Sequence, residues 1–588
     1  MNQLKKNCVI SAVGKNSLHR EWIKGNPDFD LHLIVYDNSY NEFYNDTNFI
    51  THQKGYKLRL VYNYLQKNPE YLEKYDYLFF PDDDLLIDSE NISELFKLMN
   101  KYHLQIAQPA LSDSYYFYEH VIRDKFCVLH YTNFVEIMAP CFSREALNKV
   151  LFTFNANSSG WGIEIHWPHL IGFTGKEIAI IDEIHAIHTR PIQSFSKQNM
   201  DDFNEYISKY KLKWEILETG CILKNPNSVN ADSYERLVAS RETYKQLNKL
   251  VNEIADCFVN EVNNKFIDSI GLQGLTGKAL FLANYSRISE KRKYLDSAFS
   301  ILEIAGGSVA QIKADLNFQS GLPGFSWCIE YFAQHRFIEN RTYEILEEIS
   351  SYLNDNLNNG TTDSNLEKLI GIARHYIARM SNCNFDTNKK LNSQEQKILI
   401  TIVRDINKWS KTLSIQNAKP EFKHIIDSIL LLNRIKVKKV LTLPETDEAL
   451  NNVIEIFKRL FVGQNLLLLE SYILVIISEE TNDAQLKNKA IQEASNYIVN
   501  NINILSSRQI MDLYLLHKLY QKTGKDVFKD VALQILNNII NQYGNGSLII
   551  GDFNKGKNYF EAKQTISLGL ILVSVLSDED LELNDCIL

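Results

Sequence analysis

Three aspartates stand side by side where an apolar run ends, in the segment YDYLFFPDDD, and are numbered Asp82, Asp83 and Asp84. Adjacent carboxylates repel one another, so such a cluster at the end of a strand is costly unless a positive charge binds it. Because successive strand side chains alternate, Asp82 and Asp84 are expected to point the same way. Their oxygens predict a site for Mg²⁺ or Mn²⁺ beyond the carboxyl end of the strand, and Asp83 is predicted to contact the substrate. The alternative is a solvated acidic turn.

A second group of candidate residues lies in the segment SSGWGIEIHWPHL, which spans residues 158–170. Gly162 allows a close approach of the backbone to a ligand, and Trp161 offers a flat apolar face for a sugar ring or a base. Glu164 is then placed to take a proton from an acceptor group. The alternative is that the tryptophan belongs to the core and the glutamate to the surface.

The segment IIDEIHAIHTRP supplies a third group. In a strand, His188 and Arg190 share one face. A neutral imidazole at His188 would complete a metal shell, and Arg190 would balance the charge of a phosphate. Asp182 is the reserve candidate for the base. A buried structural histidine is the alternative interpretation of His188.

The chain is long enough for more than one folding unit, with 588 residues, of which 45% are hydrophobic and 23% charged. Strand and helix patterns alternate in the first part, which predicts a sheet covered by helices. The later part shows almost continuous helical periodicity, and the polar stretch LKNPNSVNADS separates the two. We predict an α/β domain over residues 1–212, a linker over 213–239 and an all-α domain over 240–588.

The helical part repeats itself weakly. GLQGLTGKALFLANY (271–285) is echoed by GLPGFSWCIEYF (321–332), and similar apolar helices, each followed by an amphipathic one, continue at intervals of roughly 30–60 residues. Such helix pairs stack on their neighbours and bury a shared core. Their number suggests closure into an α/α toroid, and the Gly-Leu-x-Gly starts are expected to let helix ends approach closely.

Charge, hydropathy and cysteine spacing exclude several classes of protein. A net charge of −9 argues against broad nucleic-acid binding, and no apolar run is long enough for a membrane span. The 8 cysteines form no C-x-x-C pair and suggest neither a zinc finger nor a disulfide framework. Without a secretory apolar region near the start, a cytoplasmic location is expected.

Together, KGYKLRLVYNYLQKNPEYLEKYDYLFFPDDDLL, GWGIEIHWPHL and KEIAIIDEIHAIHTRP resemble a domain family of unassigned function with a GT-A-type glycosyltransferase fold. The resemblance covers nearly all of residues 5–192, and GWGxE is also similar to a segment of galactosyltransferase-type enzymes whose acidic residue is the catalytic base. It implies a Rossmann-like mixed sheet, a nucleotide-sugar donor and a divalent metal. By position, it implies metal ligands at Asp82, Asp84 and His188, a donor–acceptor cleft lined by Trp161 and Gly162, and a base at Glu164. Aspartate is the commoner residue at the last position.

The helical part resembles lanthionine synthetase C-like proteins, the peptide cyclases that close thioether rings, through GLPGFSWCIEYF, LYQKTGKDVFKDVALQIL and SLGLILVSVLSDEDLELNDCIL. The catalytic zinc of that family needs two cysteines and a histidine from the later repeats. Here the only cysteine after Cys383 is Cys586, and Ser506 and Ser507 stand where the family carries its Cys-His pair. His424 falls near another family histidine. We therefore expect neither zinc nor cyclisation.

Two functions are compatible with these features. The first is a metal-dependent glycosyltransferase that moves a sugar from a nucleotide-sugar donor to an acceptor, with a ribosomally made peptide held by the toroid as one candidate acceptor. The second is a non-catalytic scaffold that binds a peptide or partner through two degenerate domains. An active lanthipeptide cyclase is disfavoured by the missing thiolates.

The expected absence of zinc is directly testable. Metal analysis of the purified segment 240–588 should find no stoichiometric zinc, because two thiolates and an imidazole cannot be assembled there. One zinc ion bound per chain would contradict this expectation.

Overall fold

The structure, a computed structural model, describes most of the chain. The described residues are 5–115, 118–191, 197–224, 240–262, 269–312, 315–339, 342–357, 363–382, 391–416, 420–441, 444–461, 466–501, 509–543, 559–577 and 581. The chain divides into two compact units, one made of residues 1–231 with 290–293 and the other of 232–289 with 294–588.

The first unit is built on one mixed sheet, as predicted. Its strands follow the order β10-β7-β9-β6-β8-β4-β1-β2-β3, with β5 paired to β9. The strands are β1 (Asn7–Val13), β2 (Phe29–Val35), β3 (Phe49–His52), β4 (Tyr77–Phe79), β5 (Leu85–Leu86), β6 (Ile106–Leu111), β7 (Cys127–Thr132), β8 (Cys141–Ser143), β9 (Ile178–His188) and β10 (Glu218–Leu223). The helices are α1 (His19–Trp22), α2 (Tyr40–Phe43), α3 (Lys57–Lys67), α4 (Glu70–Lys74), α5 (Ser89–Lys101), α6 (Arg144–Val150), α7 (Trp167–Ile171) and α8 (Lys197–Tyr210).

The sheet reverses its strand order next to β1. This strand pairs in parallel with β2 on one side, where Val9 lies opposite Leu31, and with β4 on the other, where Val9 lies opposite Phe79. The chain therefore winds outward from β1 in both directions, which opens a crevice at the carboxyl ends of β1 and β4. Gly14 and Pro81, which follow these two strands, lie at this switch point, and the Ser11 hydroxyl donates to the Pro81 carbonyl across 2.8 Å.

The structure differs from the predicted linker over residues 213–239. Its residues 218–223 form β10, which pairs antiparallel with β7 at the edge of the sheet. The strand was missed because ETGCIL contains a glycine and has little apolar alternation, so its pairing depends on the partner strand. Residues 225–239 lie outside the described part of the chain.

The second unit is all-α, and its helices alternate between two kinds. Even-numbered helices such as α10 and α18 are buried almost all round, whereas odd-numbered ones such as α9 and α17 are amphipathic. The helices are α9 (Arg241–Val262), α10 (Leu275–Ser289), α11 (Arg292–Ile312), α12 (Leu322–Gln334), α13 (Thr342–Asp355), α14 (Asp363–Asn382), α15 (Leu391–Gln416), α16 (Phe422–Val437), α17 (Pro444–Phe461), α18 (Leu468–Thr481), α19 (Ala484–Asn501), α20 (Gln509–Thr523), α21 (Asp526–Tyr543) and α22 (Tyr559–Leu576).

The buried helices close on themselves. The first of them, α10, packs against both α12 and the last helix, α22, so the beginning and the end of the unit meet. This is the predicted α/α toroid. Among the described helices, none has both the length and the apolar character needed to cross a bilayer.

Glycines bring the starts of the first two buried helices together. The Gly271 amide donates to the Ser320 carbonyl across 3.0 Å. A Cβ at Gly271 would lie 2.5 Å from the Gln319 carbonyl oxygen, so only glycine fits there. Inside α10, a Cβ at Gly277 would lie 1.9 Å from the carbonyl oxygen of Leu272 and 3.0 Å from Ile566 of α22.

A pair of matched substitutions tests this packing. Gly277→Ala should lower the free energy of unfolding by roughly 1–3 kcal/mol, because the added methyl meets backbone that cannot move away cheaply. Gly307→Ala, in the exposed part of α11 where a Cβ meets nothing within 4 Å, should be neutral or stabilising by about 0.5–1 kcal/mol. Thermal unfolding followed by circular dichroism measures both, and equal stabilities of the two variants would contradict the packing.

Candidate metal centre

The three aspartates lie on a turn that leaves the sheet at the end of β4. The strand stops at Phe79, and the Leu85 amide donates to the Asp82 carbonyl across 3.2 Å. The Asp82 amide donates to the Met138 carbonyl across 2.7 Å, which anchors the turn to the neighbouring segment 136–140. The sequence predicts that strand alternation brings Asp82 and Asp84 to the same side. In the structure, a turn brings them together instead.

The turn brings together the three residues that the sequence predicts as metal ligands. One potential ligand atom from each of Asp82, Asp84 and His188 lies within 4.8 Å of the others. The Asp84 Oδ1 and His188 Nε2 atoms are 3.3 Å apart. The pairing of β5 with β9 sets this arrangement, because it places Leu85, next to Asp84, opposite His188.

The His188 ring is held in one orientation. Its Nδ1 donates to the Tyr115 carbonyl across 3.0 Å, and its backbone amide donates to the Ser114 hydroxyl across 2.9 Å. Burial alone would lower the pKa of His188, but the hydrogen bond with Asp84 and the charges of Asp84 and Asp82 raise it. Burial would raise the pKa of Asp84, but the same hydrogen bond and the charges of His188 and Arg190 lower it.

Lys57 is a member of the site that the sequence analysis missed. From the first turn of α3, its Nζ lies 2.7 Å from Asp82 Oδ1 and donates to the carbonyls of Ile137 and Met138 across 2.8 and 2.9 Å. This ammonium offsets the charge of Asp82 and joins the turn to segment 136–140. No signal marked it, since the lysine stands at the start of an ordinary amphipathic helix.

Asp83 positions the turn, and its contact with substrate stays a prediction. Its Oδ2 accepts from the Gly14 amide and the Tyr36 hydroxyl, each across 2.8 Å. Its Oδ1 accepts from the Arg190 guanidinium across 3.1 Å. Because these bonds occupy both oxygens, Asp83 ties the turn to the ends of β1 and β2.

Arg190 reaches the same cluster from beyond β9. Besides its bond to Asp83, its Nε lies 3.9 Å from Asp84 Oδ2, and its Nη2 donates to the Asn16 carbonyl across 2.8 Å. Its side chain remains 41% exposed, so a guanidinium face is open to an anion.

Glu164 follows two glycines that adopt left-handed conformations, with φ of 78° at Gly160 and 88° at Gly162. This tight turn buries the glutamate, which is 6% exposed, in contrast to a surface residue. Burial raises the pKa of Glu164 to about 8, against hydrogen bonds from backbone amides. Its Oε2 has no hydrogen-bond partner among the described residues. Trp161, beside it, is half-buried.

Asp182 is not brought into this site. It is fully buried on β9, where it accepts from His130 Nδ1 across 2.8 Å and from the Asp124 amide across 2.7 Å. It lies six positions before His188 on the same strand. Both of its oxygens are engaged, so the geometry gives no support to Asp182 as a reserve base and leaves Glu164 as the candidate.

Glu136 is the second residue that the sequence analysis missed. It is 4% exposed, and its Oε1 accepts from the Tyr118 amide across 3.2 Å. Burial raises the pKa of Glu136 to about 8, and the charges of Glu164 and Asp82 add to this effect. Glu136 precedes β8, which is formed by the last three residues of the segment VEIMAPCFS. A lone acid within an apolar run was the available signal.

A cavity of about 310 Å³ opens next to this region. Ile165, which follows Glu164 in the chain, is part of its wall. The ring of Trp214 lies 5.2 Å from that of Phe134, and both rings line the cavity. Lys213, Glu215 and His169 add charged and polar groups to the lining.

In the second unit, the structure describes only some of the residues that the sequence analysis compares with the zinc ligands of lanthionine synthetase C-like proteins. Cys383, Ser506, Ser507 and Cys586 lie outside the described residues. His424 is buried in α16, with its Nε2 at 3.8 Å from Glu421. Within the described ranges, the group in the first unit is the one cluster of three or more side chains that could hold a metal ion.

Comparison with known proteins gives a family match within the first unit. Residues 24–132 match a family model described as a protein of unknown function, DUF707. The matched region contains Lys57 and the aspartate turn but ends before Glu136, Glu164 and His188. No curated protein matches the chain.

The raised pKa of Glu164 predicts a pH-dependent stability. An ordinary glutamate ionises near 4.5, so between that pH and about 8 the unfolded chain loses a proton that the folded chain keeps. Native stability contributed by this group therefore falls as the pH rises through this window. Glu164→Gln removes the effect, and the variant should gain thermal stability relative to the unmodified protein between about pH 5 and pH 8.

Glu177→Gln is the matched control for this measurement. Burial would raise the pKa of Glu177, but hydrogen bonds from Thr174 lower it to about 2. The contribution of Glu177 to the stability of the folded protein is therefore constant above the pKa that this group has in the unfolded chain. The effect of Glu177→Gln should not change across the same range. A Glu164→Gln effect that is equally constant would contradict the burial of a protonated Glu164.

Proposed function

We propose that this protein is a metal-dependent glycosyltransferase, which moves a sugar from a nucleotide-sugar donor to an acceptor hydroxyl or similar nucleophile. The observation that carries the proposal is the placement of Asp82, Asp84 and His188 within 4.8 Å at the switch point of the sheet. Ligands of open α/β sheets bind at this position. The sequence resemblance to GT-A-type domains supports the same assignment.

The donor set suits Mn²⁺ or Mg²⁺. The two carboxylates supply the oxygen ligands that these ions prefer. Nδ1 of His188 already donates to a carbonyl, and Nε2, which faces Asp84 Oδ1, would bind the ion after losing its proton. A divalent ion bound there would neutralise the negative charge that develops on a departing nucleoside diphosphate.

The protein's own residues account for the remaining requirements. Lys57 holds Asp82 in place, and Asp83 holds the turn on β1. The half-exposed Arg190 is suited to bind a phosphate oxygen of the donor. Glu164, with its free Oε2, is the group that takes the acceptor proton, and a pKa near neutrality is what such an exchange favours.

The identity of the acceptor is the finer part of the proposal. The closed ring of helices and its resemblance to lanthionine synthetase C-like proteins favour a peptide bound by the second unit. If that unit tethers a peptide through a flexible segment, the local acceptor concentration reaches the millimolar range, as for other short linkers.

The neighbouring aspartates provide a matched test of the metal centre. Asp84→Asn should weaken Mn²⁺ binding by more than about tenfold, because it removes a ligand charge. Asp83→Asn should keep the Mn²⁺ affinity and lower the stability, because its amide group cannot accept from Gly14, Tyr36 and Arg190 together. Isothermal titration calorimetry and thermal unfolding measure both, and equal effects of the two substitutions would contradict the assignment.

Turnover tests the function itself. The protein should release nucleoside diphosphate from at least one UDP- or GDP-sugar in the presence of Mn²⁺, and intact-mass analysis should show one added sugar on a candidate peptide. Asp84→Asn should abolish the release. If no donor gives either turnover or thermal stabilisation, the proposal is contradicted and the binding scaffold is favoured.

A further inference from the structure

Glu136 has a carboxyl oxygen for which the protein offers no partner. The side chain is 4% exposed, and Oε1 is used by the Tyr118 amide, whereas Oε2 has no hydrogen-bond partner among the described residues. Leaving a buried polar oxygen unpaired is unfavourable, and native proteins seldom keep such a group without a hydrogen-bond partner.

A hydrogen bond fixes the backbone of Glu136 at the start of the segment that contacts the metal centre. Its backbone amide donates to Gln108 Oε1 of β6 across 2.6 Å. The two residues that follow it, Ile137 and Met138, give their carbonyls to Lys57, which in turn holds Asp82. The glutamate therefore starts the same short segment that anchors the aspartate turn.

Glu136 also lies within electrostatic range of the candidate base Glu164. The charges of Asp82 and His188 act on the Glu136 carboxyl, and so does the charge of Glu164. In a glycosyl transfer, the donor sugar must lie between the metal-bound diphosphate and the acceptor that loses its proton. The group that lies near both Asp82 and Glu164 is therefore next to the donor sugar.

We infer that Glu136 is a substrate-binding residue, whose Oε2 forms a hydrogen bond with a hydroxyl of the donor sugar. This inference rests on the proposed function and adds to it a residue that recognises the sugar. A neutral carboxyl both donates and accepts, as does a sugar hydroxyl. Burial keeps Glu136 in that neutral form, which suits a hydroxyl better than a second cation.

The test separates the sugar from the rest of the donor. With Mn²⁺ present, the dissociation constants of UDP and GDP are compared with those of their glucose, galactose, mannose and N-acetylglucosamine conjugates. The dissociation constant of the nucleoside diphosphate divided by that of its sugar conjugate measures how much the sugar adds to binding. Glu136→Met keeps the length of the side chain but removes its hydrogen bonds, and should reduce this ratio about tenfold. Glu136→Gln should retain most of it, because an amide also binds a hydroxyl.

The affinities for Mn²⁺ and for the nucleoside diphosphates should be unchanged in both variants. If thermal unfolding shows that Glu136→Met does not fold, Glu136→Ala is used in its place. An unchanged ratio in a folded variant would overturn the inference and leave the proposed function intact. A loss of Mn²⁺ affinity would also overturn it, since Glu136 would then be a metal ligand. Failure of the unmodified protein to bind any nucleoside diphosphate with Mn²⁺ would overturn the proposed function and the inference together.

Discussion

The repulsion between Asp82 and Asp84 is the interaction around which the first unit is arranged. Two carboxylates that lie within 4.8 Å of one another and of His188 need positive charge nearby. The protein supplies it from separate elements, with Lys57 on α3, His188 at the end of β9 and Arg190 just beyond it. Because these elements are far apart in the chain, the arrangement depends on the sheet order that brings β4, β5 and β9 to the same place.

The acidic residues of the unit divide into two kinds by environment. Asp84 keeps a lowered pKa through its histidine and arginine neighbours, whereas burial raises the pKa of Glu136 and Glu164 to about 8. Carboxyl groups whose environments separate their pKa values in this way are suited to different tasks within one site. The ionised Asp84 attracts a cation, whereas burial raises the pKa of Asp82 despite the neighbouring Lys57 ammonium. Protonated glutamates meet neutral hydroxyl groups or exchange a proton. Asp83 holds the turn on the sheet through hydrogen bonds to both of its oxygens.

Sequence reasoning found the parts of this site that lie in regular patterns. The apolar run before the aspartates and the run ending at His188 identified two strands, and charge repulsion identified the cluster. It failed for Lys57, whose helix position is common to many surface lysines, and for Glu136, whose contacts are with residues distant in sequence. It also named Asp182 as the reserve base, because the strand pattern does not show which side chains contact one another. The partners of Asp182, His130 and Asp124, are known only from the fold. In the second unit, periodicity and the repeated glycines were enough to predict the toroid, since its contacts are mostly between neighbours along the chain.

Diffraction from crystals soaked in Mn²⁺ shows whether the aspartate turn and His188 bind a divalent cation. We expect one strong anomalous peak per chain within bonding distance of Asp82, Asp84 and His188, with Lys57 still at the Asp82 carboxylate. If saturating Mn²⁺ gives no peak at this position, or a peak only at other side chains, these residues are not a metal centre.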